Sequence, residues 1–223
     1  MKKQSHLLWD LDGTLIRSFD YKVGLSLAWS FWRLLETEKP LKKRAQIFWQ
    51  TWNFQSEDNP TQTIYEKLFS TLKEVSGWSQ EKTKEFLENF YLKEFGKLSG
   101  EFQPIPEAIE FFIKSKARYS QALLTNPILP QSCVLNKLTW TGVDANSFKF
   151  ISHSQNSHFC KPDLRYFEEC LSQLGVAPQD CFLIGDRKDK DGVAAKLGIE
   201  VFIVEGTASV FWKNMAKSLL DEE

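Results

Sequence analysis

The 223-residue sequence predicts an α/β fold: a parallel sheet with helices on both faces and an all-helical segment inserted after the first strand. Three observations carry that prediction. Short apolar runs recur along the chain, several end in polar or acidic residues, and helical stretches separate them. Between Leu15 and Phe102 the alternation stops, leaving helical patterns and no good strand. The length suffices to bury a full core and suits one α/β domain with a modest insertion.

His6-Leu7-Leu8-Trp9 reads as a buried strand that stops at Asp10. Phe19 to Glu38 then carries Leu25, Leu27, Phe31, Trp32 and Leu35 at helical spacing, and Pro40 ends it. Lys42 to Phe54 is a second helix. Asn59-Pro60 reads as an N-cap followed by proline at the first helical position, opening a third helix that stops near Gly77. Ser79 caps a fourth, whose apolar face is Phe86, Leu87, Phe90, Tyr91 and Phe95. Trp29, Trp32, Trp49, Trp52 and Trp78 are expected to form the interior of this helical block, with Lys42-Lys43-Arg44 on a solvated face.

The alternation resumes at Pro104-Ile105-Pro106 with a helix to about Arg118. Strands follow at Tyr119–Leu124, Phe148–Ile151, Cys181–Ile184 and Glu200–Val204. Helices are predicted over Leu129–Trp140, Pro162–Leu174 (closed by Gly175), Val193–Leu197 (closed by Gly198) and Ser209–Leu220.

Asp10 sits at the carboxyl end of the first strand, where open α/β sheets bind their ligands. Two residues on, Asp12 reaches the same crevice, and Gly13 lets the backbone turn sharply. Two close carboxylates there either hold a divalent cation or divide nucleophile and general-acid roles. The second strand runs into Thr125-Asn126, the third leads to Lys161-Pro162, and the fourth runs into Gly185-Asp186 with Asp189 and Asp191 beyond. A hydroxyl, an amide, a lysine and several carboxylates on one rim suit a phosphate and a hard cation. His153, His158 and Cys160 match no standard zinc-ligand spacing and read as polar loop residues.

The ordered set Asp-x-Asp-Gly-Thr, Thr-Asn, Lys-Pro and Gly-Asp with a later Asp resembles the haloacid dehalogenase superfamily of phosphohydrolases. The resemblance implies a Rossmann-like catalytic core over 1–15 and 104–223 and a helical cap over 16–103, hinged at Leu15–Ser18 and Leu98–Pro106. It also implies an aspartyl-phosphate mechanism. Asp10 is then the nucleophile and Asp12 the general acid and base. Mg²⁺ is held by Asp10, the backbone carbonyl of Asp12 and Asp186. Thr125, Asn126 and Lys161 bind phosphate, and Asp191 orients a metal-bound water or Lys161. Asp189 is expected to be solvated, and Arg187 to contact substrate or the loop backbone. The implied activity is hydrolysis of a small phosphorylated metabolite. A sugar-phosphate mutase shares this core and cap, and a non-catalytic binding protein on the same fold is the reading of a different class. Dehalogenation has no need of Asp12.

A formal charge of −1 gives no nucleic-acid footprint, and no apolar run approaches a membrane span. Met1-Lys2-Lys3 and the short apolar run after it are too brief for a signal peptide. Cys133, Cys160, Cys170 and Cys181 lack metal-type spacing and read as reduced thiols of a cytoplasmic protein. Nothing in the sequence indicates an oligomeric state.

Overall fold

The structure, a computed structural model, describes residues 5–18, 20–35, 39–53 and 59–220. In chain order the strands are β1 (His6–Trp9), β2 (Ile16–Ser18), β3 (Phe102–Pro104), β4 (Ser120–Leu123), β5 (Phe148–Ile151), β6 (Cys181–Gly185) and β7 (Glu200–Ile203). Five of them form one parallel sheet in the order β5-β4-β1-β6-β7. All five match runs predicted from the sequence.

The centre of the sheet follows from its apolar runs. Leu7, Leu8 and Trp9 are fully buried, because a central parallel strand is covered on both faces. The helices on the core are α5 (Pro106–Ser115), α6 (Gln131–Trp140), α7 (Leu164–Leu174) and α8 (Ala208–Leu220), preceded in the chain by α1 to α4 of the insertion. Trp9 packs against Phe111 and Phe112 of α5 and stacks on Trp212 of α8, at centroid distances of 5.9, 5.5 and 5.9 Å. Its indole N–H is satisfied by Gln121 Oε1 at 2.6 Å. Leu8 points to the other face, into a cluster with Tyr166, Phe167 and Cys170 of α7. Each such burial contributes about 1.5–3 kcal/mol.

From β1 the chain builds outward through β4 and β5, then crosses to the opposite side of β1 for β6 and β7. The strand order therefore reverses at the carboxyl end of β1, which is where a crevice opens.

The insertion holds α1 (Asp20–Leu34), α2 (Leu41–Trp52), α3 (Ile64–Ser76) and α4 (Gln80–Glu88). Phe31 at its centre meets Phe48, Phe86 and Phe90 edge-on, at 6.0, 5.0 and 5.4 Å. The predicted ends at Phe19, Glu38 and Phe54 lie outside the described residues.

Several expectations need correction. The stretch expected to lack strands begins with β2, which pairs antiparallel with β3 in the register Ile16↔Pro104, Arg17↔Gln103 and Ser18↔Phe102. Three-residue strands are too short to show alternation. The N-cap of α3 is Thr63, not Asn59. Thr63 Oγ1 accepts from the Glu66 amide and the Glu66 carboxylate accepts from the Thr63 amide, while Asn59 Oδ1 closes a turn onto Thr61. The reciprocal pair satisfies two amides left open at a helix start, which a lone proline cannot do. The fourth helix stops at Glu88 and passes into a π-helical turn (Asn89–Glu94) and a 3₁₀ segment (Phe95–Glu101). Near Lys161, the helix opens at Leu164 with Asp163 as N-cap, rather than at Pro162.

The tryptophans divide. Trp78 is buried and Trp32 half-buried under the Arg44 guanidinium, but Trp29 and Trp49 are 66% and 70% exposed. Helix α1 carries two apolar stripes. Val23, Leu27 and Phe31 face inward, whereas Tyr21, Leu25 and Trp29 repeat at the same i, i+4 spacing outward. Periodicity alone does not say which stripe the core takes.

The start of α3 is tied to the loop after β5. The amides of Ile64 and Tyr65, which have no partner inside the helix, donate to the carbonyls of Ser157 and Ser154, both at 2.8 Å. Buried Lys67 adds Nζ to the His158 carbonyl at 2.7 Å. No described helix is long and apolar enough to cross a membrane.

Candidate active site

Asp10 continues β1 by one residue, its amide donating to the Ile184 carbonyl of β6 at 2.8 Å, and its side chain is buried at the strand end. The chain then turns on Gly13, which has φ +85°. A Cβ on Gly13 would stand 2.1 Å from Asp186 Oδ2, so only glycine lets the first loop lie against the acid that ends β6. A Cβ on Gly185 would in the same way stand 2.4 Å from the Asp191 carboxyl carbon. The acids therefore pack on bare backbone, and carboxylate oxygens of Asp10, Asp186 and Asp191 lie within 4.8 Å of one another.

Lys161 sits among them. Its Nζ is buried and donates to Asp10 Oδ1 at 2.8 Å and to Asp191 Oδ1 at 2.5 Å. Asp191 Oδ2 accepts from the Arg187 amide at 3.1 Å, fixing the carboxylate toward the lysine. The Lys161 amide donates to Asn126 Oδ1 at 3.2 Å, and the Thr125 carbonyl accepts from Ser152 Oγ and Tyr166 Oη. Buried groups on α7 and the β5 loop thus hold the Thr125-Asn126 turn and the lysine in place.

Burial raises the Asp10 carboxyl to about 7; Lys161 opposes this and Asp191 reinforces it. Asp186 is raised to about 6, first by burial and then by the Asp191 charge. For Lys161, burial lowers the ammonium, but the charges of Asp10 and Asp191 outweigh it and its net shift is upward. Three acids face one lysine, and this excess of carboxylates is an all-oxygen donor set suited to a hard cation.

Every residue the sequence singles out for the site comes to one cavity of about 400 Å³: Asp10, Asp12, Thr125, Asn126, Lys161, Asp186 and Asp191. Asp189 does not join them. It is exposed and forms a two-bond pair with Arg187 at 2.9 and 2.8 Å. His153, His158 and Cys160 form no cluster: His153 Nδ1 accepts from the Gln155 amide, and His158 Nδ1 pairs with Glu169. Burial pushes the Cys160 thiol up to about 12.

Lys137 of α6 escapes sequence reasoning. It is buried, its Nζ donates to Asp12 Oδ2 at 2.5 Å, and it lies 5.1 Å from the Phe102 ring centre. The other oxygen, Asp12 Oδ1, is buried with no hydrogen-bond partner. A signal for this residue does exist in the sequence: Lys137 falls on the same helical stripe as Val134 and Leu138, where a cation needs a buried partner.

Strand-end carboxylates interleaved with a buried lysine lie at the reversal point of a parallel sheet, where an α/β fold opens a crevice lined here by charges of both signs. The chain belongs to the haloacid dehalogenase-like hydrolase family, whose sequence profile matches residues 7–204. It is 30% identical over 133 residues to a phosphoserine phosphatase of Thermus thermophilus, an alignment that spans 59% of this chain and about half (50%) of that protein. Its fold is similar to that of a haloacid dehalogenase family enzyme from Bacteroides thetaiotaomicron, solved with magnesium and inorganic phosphate (TM-score 0.55, 17% identity, 93% of this chain and 98% of that one). It is also similar to a predicted phosphoglycolate phosphatase from Haemophilus somnus (TM-score 0.56, 21% identity, 90% and 85% of the two chains).

Proposed function

We propose that this chain is a Mg²⁺-dependent phosphomonoesterase that works through an aspartyl-phosphate on Asp10. The observation that carries the reading is the pairing of two differently placed acids. Asp10 is held by the cation of Lys161, whereas Asp12 presents a buried oxygen with no partner. Asp10 attacks phosphorus in line, and the departing alkoxide takes a proton from Asp12. Lys137 occupies Oδ2, so Oδ1 is the oxygen that carries that proton. The same oxygen then accepts a proton from the water that hydrolyses the aspartyl-phosphate, returning both acids to their starting states.

Lys161 balances charge on the phosphoryl oxygens. The Thr125 hydroxyl donates to them, as does the Asn126 amide group, whose oxygen is already taken by the Lys161 backbone. The oxygen-rich cluster fits Mg²⁺, with Asp10 and Asp186 as side-chain donors, the Asp12 carbonyl as the backbone donor and Asp191 turned toward Lys161. Bound there, the ion would lower the repulsion between an anionic nucleophile and an anionic phosphate. Residues 16–103 act as a cap that excludes water from this chemistry and supplies the walls around the substrate. Four free thiols suit a cytoplasmic setting.

Phosphate release from p-nitrophenyl phosphate, measured with Mg²⁺ and with chelator, tests the reading. Activity is expected only with the metal, and only while Asp10 is intact. Full turnover by a folded Asp10→Asn protein would rule the mechanism out.

A further inference from the structure

The cavity does not end where a phosphate would. Its volume of about 400 Å³ matches pockets that enclose a small organic ligand. Its charged lining groups all lie at one end, on the loops after β1, β5 and β6 and on α6. The opposite wall comes from residues 18–102, including Leu27, Phe31, Leu68, Leu87, Phe90 and Phe102. Among the described residues, none that this stretch contributes to the lining is charged. Arg187 and Lys190 belong to the phosphate end, and the Arg187 guanidinium is engaged by Asp189. Ser18, Thr51 and Tyr91 bring hydroxyl-bearing side chains to the otherwise apolar wall. Thr51 lines the cavity, is 2% exposed, and its buried Oγ1 has no hydrogen-bond partner.

Resting on the phosphomonoesterase reading, we infer that the alcohol part of the substrate is uncharged and mainly apolar, with hydrogen bonding limited to the few hydroxyls of the wall, Thr51 Oγ1 among them. Phosphoserine would bring an ammonium and a carboxylate against a wall whose described lining residues carry no charge, and phosphoglycolate a carboxylate. A sugar phosphate would bring several hydroxyls against a wall that is mostly hydrocarbon, leaving most of them unpaired. An aliphatic or aromatic skeleton instead removes its own surface and that of the wall from water together. The substrate class therefore departs from the activities named for the relatives above, although the phosphate end is shared.

The test compares kcat/KM, with Mg²⁺ present, for acetyl phosphate, n-hexyl phosphate, 2-phenylethyl phosphate, O-phosphoserine and glucose 6-phosphate. The two apolar esters are expected to exceed O-phosphoserine by about 100-fold. Acetyl phosphate has no skeleton to reach the wall and so reports the phosphatase reading separately. Failure to release phosphate from any compound would sink that reading. Release from acetyl phosphate with O-phosphoserine or glucose 6-phosphate equal to or better than the apolar esters would overturn the inference alone. Binding gives a readout that needs no turnover: Asp10→Asn protein titrated calorimetrically should bind n-hexyl phosphate at least about tenfold tighter than O-phosphoserine. Equal or reversed affinities contradict the inference. Leu27 is only partly buried, so Leu27→Arg should fold, and it should shift the kcat/KM ratio toward O-phosphoserine at least about tenfold. A ratio that does not move also contradicts it.

Discussion

Lys137 Nζ lies 2.5 Å from Asp12 Oδ2, so a lysine on α6 fixes the carboxylate proposed above as the general acid. That proposal makes Lys137 a positioning residue. Lys137→Met should slow hydrolysis of an alkyl phosphate by about 10–100-fold, because the acid is no longer aimed at the departing oxygen. p-Nitrophenyl phosphate, whose leaving group needs little protonation, should lose much less. A purely structural role for Lys137 predicts equal losses on both esters, and that outcome would reject the assignment.

Asp12→Asn tests the same step at the acid itself. Turnover should fall on the order of 10²-fold or more, while Mg²⁺ affinity changes less because the backbone carbonyl and Asp10 remain. Isothermal titration with Mg²⁺ beside steady-state kinetics separates the two. A variant that keeps its rate at saturating Mg²⁺ but binds the ion poorly would reverse the roles.

The acids after β6 should rank in a fixed order. Asp186→Ala removes an anionic donor and should raise the Mg²⁺ requirement most. Asp191→Ala takes one of two carboxylates from Lys161 and should give an intermediate loss, about 10–100-fold in rate. Asp189→Ala breaks an exposed, solvent-screened pair with Arg187 and should leave stability and the Mg²⁺ requirement close to wild type. A Mg²⁺ titration in which Asp189→Ala is the worst of the three is the outcome that disproves this order.

In metal-free protein, burial holds Asp10 at about 7 and Asp186 at about 6. Above the ordinary carboxylate range and up to those values, the folded state binds more protons than the unfolded chain. Their contribution to stability is therefore complete below about pH 4 and is lost as pH rises toward 7. His153, lowered by burial, works the other way and favours the folded state as pH rises. The difference between variants isolates the acids. Denaturation midpoints of metal-free Asp186→Asn protein should fall less between about pH 5 and 7.5 than those of the wild type. Equal slopes would mean that burial does not raise Asp186.

Gly13 should be among the least replaceable residues of the site. Gly13→Ala forces an L side chain into φ +85° and drives its Cβ to 2.1 Å from Asp186. A sharp loss of Mg²⁺ binding should accompany a modest loss of stability, about 1–3 kcal/mol for the backbone alone. Wild-type Mg²⁺ affinity in this variant would show that the loop after β1 does not shape the cation site.

How much of this was legible in the sequence depended on what each element is buried against. Strands β1 and β6 announce themselves because both of their faces are covered, which leaves continuous apolar runs. The site acids are legible because they follow those runs directly. What stayed hidden depended on contacts rather than composition. Strands β2 and β3 exist only through each other, and the exposed stripe of Tyr21, Leu25 and Trp29 has the spacing of a buried one. Lys137 has meaning only because α6 carries it over Asp12, 125 residues away in the chain.

The carbonyls of Ser154, Ser157 and His158 tie the inserted helices to the core. They hold the first turn of α3 and Lys67 to the segment that leads into Lys161. Lifting the inserted helices off the core would break these three hydrogen bonds at once, at about 1 kcal/mol each. Helices α1 and α2 take no part in those bonds. Helix α2 packs along α3, however, so an opening that spares these bonds keeps α3, and α2 with it, in place. One wall of the cavity, at Leu68 of α3, is thereby moored to the segment that carries Lys161.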